Sequence, residues 1–66
     1  MKLASNLKLI QKVYGAWKMS RLLKISETTW FRKMRNPESF TVEQIIKIAD
    51  FCEITLEELL FKELMI

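Results

Sequence analysis

Trp17 to Pro37, WKMSRLLKISETTWFRKMRNP, reads as a short helix, a tight polar turn and a second short helix. That is the plan of a helix-turn-helix, whose second helix can enter the major groove of duplex DNA. In the first half Met19, Leu22 and Leu23 make one apolar face, and Ser20 is small enough to let another helix approach closely. The turn is Lys24-Ile25-Ser26. Ser26 suits the N-cap position, because its hydroxyl can accept from the free N–H groups that open the next helix. Ile25 before that cap and Trp30 at the fourth helical position have hydrophobic-staple spacing, which sets the angle of entry. The second helix, Glu27 to Arg35, is expected to bury Trp30 and Met34 and to present Glu27, Thr28, Phe31, Arg32 and Arg35 outward. Asn36-Pro37 ends it, since the residue before a proline avoids the helical region.

Downstream, Glu38-Ser39-Phe40 reads as a loop, and Thr41-Val42-Glu43-Gln44 supplies a capping box with Phe40 and Ile45 as its staple. A helix from about Val42 to Phe51 follows, with Val42, Ile45, Ile46, Ala49 and Cys52 on one face and Ile48 beside it. The device repeats at Thr55-Leu56-Glu57-Glu58, with Ile54 and Leu59 as staple, so a fifth helix starts near Leu56. It shows Leu56, Leu59 and Leu60, with Phe61 and Leu64 around the side. Upstream, Leu3, Leu7, Ile10 and Tyr14 recur at helical spacing over residues 2–14. Val13 and Leu9 widen that stripe, and Lys2, Lys8 and Lys12 lie toward the other side. Gly15, the only glycine, stands where one helix stops and another begins, and a left-handed C-terminal position is its natural place. Trp17 has two readings: core between the first and third helices, or a partly exposed indole whose N–H reaches a phosphate. No strand pattern, repeat or linker interrupts the series. The expected fold is all-α, five short helices in one domain spanning residues 1–66, with the motif at about 17–36.

Sixty-six residues lie near the lower size at which a chain folds without staples. The single cysteine, Cys52, excludes an internal disulfide, and the absence of histidine argues against an ordinary metal site. Its expected place is a buried helix face. No apolar run of membrane-spanning length and no signal-peptide pattern occurs, so a reducing cytoplasm is the expected compartment. The net charge of +3 is unevenly placed. Residues 1–35 hold nine Lys/Arg against one acid, Glu27, whereas residues 36–66 hold two Lys against seven acids. A basic half that coincides with the motif suggests a polyanion bound on that side.

LLKISETTWFRKMR resembles the bacterial pattern LLGIS-x-x-TLYRKLK of Fis-like DNA-binding segments. The continuation NPESFTVEQIIKIADFCEITLEELL is similar to the last two helices of Cro/repressor-type domains of phages and bacteria. Together these resemblances cover about Trp17 to Leu60. They imply a lambda-repressor-like bundle in which the opening turns of the second motif helix read base edges. The matching positions are Glu27, Thr28, Phe31 and Arg32. Arg32 can bond both acceptors of a guanine, Phe31 and the Thr28 methyl can pack on thymine methyls, and Glu27 can accept from cytosine N4. Glu27 has an equally ordinary reading as a helix-start charge serving the dipole. Lys18, Arg21, Ser26, Thr29, Lys33 and Arg35 are the phosphate candidates. The sequence departs from the pattern at three places. Ala16 or Trp17 replaces the glutamine that often opens the first motif helix, and Lys24 replaces the turn glycine. Lys33 takes a usually apolar position, with Met34 in the core role.

An enzyme is not expected, because histidine, a glycine-rich phosphate loop and paired carboxylates outside helix starts are all missing. No cofactor, small-molecule ligand or membrane partner is implied. The expected partners are operator DNA and a second copy of the chain. The dimer contact is expected at Leu60, Phe61, Leu64, Met65 and Ile66, since a short terminal helix has too many apolar groups to hide against so small a core. The alternative is a helix-turn-helix scaffold that binds another protein through its acidic half and apolar tail, as an antagonist or adaptor.

Overall fold

Trp30 has no exposed surface. The structure, a computed structural model, describes residues 1–65. Among them the fold is all-α, with five short helices: α1 Leu3–Tyr14, α2 Ala16–Leu23, α3 Glu27–Arg35, α4 Val42–Phe51 and α5 Leu56–Phe61. No helix among the described residues is long and apolar enough to cross a membrane. α2 packs on α1, α3 and α4, while α5 closes against α1 and α4. Leu7, Ile10, Met19, Ile48 and Leu59 join Trp30 as fully buried side chains, so every helix contributes to one core.

The starts of α3, α4 and α5 are fixed by local chemistry. Ser26 Oγ accepts from the Thr29 N–H at 3.1 Å. Thr41 and Thr55 form complete capping boxes, with Gln44 and Glu58 reaching back to the cap N–H groups at 3.0 and 2.9 Å. Each such cap is worth about 1 kcal/mol. In a domain with a core this small, three of them are a sizeable share of the net stability.

Five expectations are corrected. Gly15 has positive φ, but with φ 90° and ψ 148° it lies outside the left-handed helical region. It occupies a region that essentially only glycine enters, and it joins α1 to α2 as a single residue. Glu38-Ser39-Phe40 is not a plain loop, because Pro37–Ser39 forms a 3-10 turn and Phe40 is buried after it. The buried face of α4 is Ile45, Ile48 and Ala49, whereas Val42 is 67% exposed and Ile46 is also solvent-facing. Five apolar residues compete for that face, and a helix packed along one side buries only a stripe of them. Val13 is likewise exposed on α1, and Cys52 is only half-buried, though burial still pushes its thiol pKa up.

Asn6 was not singled out by the apolar periodicity, yet it is 2% exposed. Its amide donates to the carbonyls of Leu59 and Lys62 at 2.8 and 2.7 Å, and its oxygen accepts from the Leu64 N–H at 3.2 Å. One side chain thus fastens the end of α5 and the following residues to α1. The Lys2 N–H adds a bond to the Leu60 carbonyl at 2.7 Å.

Candidate nucleic-acid interface

α3 is positioned from behind. The Trp30 ring meets Phe40 edge-to-face, with centroids 5.5 Å apart and planes at 65°. Its indole N–H donates to Gln11 Oε1 on α1. With Trp30 fixed in the core and Met34 half-buried beside it, helical geometry turns the opposite face of α3 to solvent. Glu27, Thr28, Arg32 and Arg35 are all exposed there, and Phe31 is 44% exposed. The four base-reading candidates therefore share one accessible helix surface with Arg35.

The phosphate candidates divide by what they already touch. The Ser26 hydroxyl donates to Thr29 Oγ1 at 3.0 Å, which leaves the Thr29 hydroxyl proton as the one this pair can offer. Lys33 is half-buried, donates to the Ser39 carbonyl at 2.8 Å and lies 5.7 Å from the Phe40 ring centroid. It therefore braces α3 against the 3-10 turn. Arg21 and Lys18 are exposed on α2. Arg21 stacks 5.5 Å over the Trp17 ring, and the Lys18 ammonium sits 6.0 Å from the Phe51 ring. Arg21, Lys24, Ile25 and Ser26 also line a shallow cleft at the α2–α3 turn.

Trp17 is 62% exposed, so its reading as core is wrong. It stands in the first turn of α2, and Arg21 covers part of it. Lys24 adopts the left-handed conformation, φ 58° and ψ 43°, at the position where the resembling pattern has glycine.

Among the described residues the only ion pair is Lys62 to Glu58, at 3.9 Å and well exposed. The nine Lys/Arg of residues 1–35 thus have no carboxylate partner within the described chain. Their charge is left to solvent ions or to an external polyanion.

At the other end, the expected dimer residues are split. Leu60 and Leu64 are half-buried against the core. Phe61 and Met65 remain 63% and 93% exposed, and Ile66 lies outside the described residues. The segment through Leu64 folds back on α1 through Asn6, so the surface left for a partner is narrower than expected. Compared with family models, with curated proteins and with solved structures, the chain finds no match in any of the three.

Proposed function

We propose that this chain is a sequence-specific double-stranded DNA-binding transcription regulator of Cro/repressor type, with a lambda-repressor-like bundle that lays α3 in the major groove. The observation that carries this reading is the exposed face of α3, in a half of the molecule whose cations have no acid partner among the described residues. Arg32, Phe31, Thr28 and Glu27 read base edges. Arg35, Arg21, Lys18 and the Thr29 hydroxyl, which Ser26 orients, hold phosphates, and Lys33 adds its charge while bracing the helix. Such a regulator carries out no reaction and acts in a bacterial cytoplasm, whether host- or phage-encoded, by occupying an operator.

Binding to random duplex at several salt concentrations tests it. The logarithm of affinity should fall linearly with the logarithm of salt, with a slope of about −0.9 per neutralised phosphate. Absence of salt-dependent binding sinks the reading. Selection of bound sites from random duplexes then gives the operator, and a two-fold repeat spaced by one helical turn reports a homodimer. We place the dimer contact on Phe61 and Met65, with Leu60 and Leu64 at its edge. Phe61→Asp with Met65→Asp should abolish tight binding to a palindrome while leaving half-site binding intact.

A second reading, a scaffold that binds another protein, is favoured by one observation. Exposed Phe61 lines a surface cleft with Glu57, Glu58 and Lys62, an apolar side chain with two acids beside it. It becomes the better reading if duplex DNA is not bound.

A further inference from the structure

Between α1 and α3 runs a shallow groove of about 400 Å³, lined by Lys8, Gln11, Phe31, Met34 and Arg35. Its polar lining consists of donors. Lys8 and Arg35 are exposed cations, neither is in an ion pair among the described residues, and no carboxylate lines the groove. Gln11 is oriented from behind: the Trp30 indole can only donate, so it engages the amide oxygen and leaves the amide N–H₂ to face elsewhere. That N–H₂ donates to no group among the described residues, and no buried side-chain polar atom among them is unpaired, so it is open to solvent in the groove. Phe31 and Met34 provide apolar surface beside these donors.

Two cations, one fixed amide donor and an apolar flank suit an anion carried on an apolar frame. A phosphodiester with its deoxyribose fits that description. We propose that the α1–α3 groove seats one backbone phosphate of bound DNA, held jointly by Lys8, Gln11 and Arg35, with the sugar against Phe31. The proposal rests on the DNA-binding reading and extends its surface from α3 onto α1. The groove is open rather than enclosed, which favours a polyanion bound at many points over a free ion bound at one. Gln11 acts here as a positioning residue, because it ties the phosphate to the core indole that sets the pose of α3.

The test uses the full chain and a random 16-base-pair duplex. Gln11→Glu keeps an acceptor for the Trp30 indole while replacing the outward donor with negative charge. It should fold normally and lose about 10-fold or more in affinity beyond a control of equal charge change, Val42→Glu on the exposed side of α4. Lys8→Gln should flatten the salt slope by about one unit, whereas Lys62→Gln should not. If Gln11→Glu fails to fold, the exposed Lys8 position decides alone. Variants at both positions that bind like their controls overturn the proposal while leaving DNA binding standing. Loss of all salt-dependent duplex binding in the unaltered chain removes both. The Gln11 side-chain amide resonances should shift with duplex and stay in place with inorganic phosphate at matched anion concentration. Movement with inorganic phosphate but not with duplex marks a free-anion site and overturns the proposal.

Discussion

Lys24-Ile25-Ser26 between α2 and α3, and Glu53-Ile54-Thr55 between α4 and α5, follow nearly the same backbone path. Each opens on a left-handed residue at φ 58°. The isoleucine N–H groups reach back five residues, to the Ser20 and Ala49 carbonyls, at 3.0 Å in both turns. Lys24 and Glu53 bond the carbonyls of Arg21 and Asp50, each at 3.1 Å, which completes a Schellman motif in both places. A hydroxyl cap then opens the next helix. The chain thus uses one local device twice, with a full capping box only at the second turn and with different charges beyond it. α3 continues into Arg32, Lys33 and Arg35, whereas α5 begins with Glu57 and Glu58. Turn geometry builds a helix pair, while the choice of partner is written in the outward side chains.

The comparison breaks most severely at Trp30. Trp30→Ala should cost about 3–5 kcal/mol, enough to unfold so small a domain, because α3 has no other fully buried side chain. A cooperative thermal transition at an unchanged midpoint would show that the first helix pair is not anchored there. Asn6→Ala strikes the other end and should cost about 2–3 kcal/mol by stranding the Leu59 and Lys62 carbonyls. Hydrogen exchange at the Leu64 amide should accelerate more than at Trp30; equal acceleration would mean that the two ends unfold as one unit.

Charge is probed next. Arg32→Ala should weaken binding to a selected site by about 1–3 kcal/mol with little change on random duplex. Equal losses on both would move Arg32 to the phosphate set. The two turns themselves allow a paired measurement: Lys24→Gly and Glu53→Gly should each stabilise by about 0.5–1 kcal/mol, since glycine relieves the left-handed strain against its own entropic cost. A gain at one and a loss at the other, by chemical denaturation, would show that the turns are alike only in outline.

The smallest effect concerns Glu58. Its carboxyl is held below its ordinary pKa, first by the Thr55 backbone N–H, then by the Thr55 side chain, with Lys62 adding less. A depressed folded pKa means that this contribution is complete above the ordinary value of 4.5 and is lost as pH falls through the lower folded value. Glu58→Gln, which can cap as Gln44 does, should remove that part of the acid limb. A superimposable acid limb in the two proteins would contradict it.

Cap residues spoke plainly in the sequence because they act within four positions of themselves. Ser26, Thr41 and Thr55, the span of α3 and the burial of Trp30 were all legible for that reason. Legibility failed where the outcome depends on which neighbour arrives. Val42, Ile46 and Trp17 are apolar enough for a core, but α4 and α2 each bury only one stripe and leave them outside it. Asn6 carried a usable signal, a lone amide within the stripe of Leu3, Leu7 and Ile10, where a polar group needs partners. Its partners lie 53 to 58 residues away, so their identity was not readable locally. The outward face of α3 was readable, whereas the part of the α1–α3 groove contributed by Lys8 and Gln11 emerged only from the packing of two helices.

The two tryptophans, one sealed in the core and one in water beneath an arginine, make the chain its own pair of optical reporters. Trp30 should emit at the blue edge of the indole range and shift red only when the domain unfolds. Trp17 should emit red from the outset and respond to whatever settles on the basic surface. A single emission spectrum can therefore separate occupancy from unfolding without any label, and Trp17→Phe assigns each band to its ring.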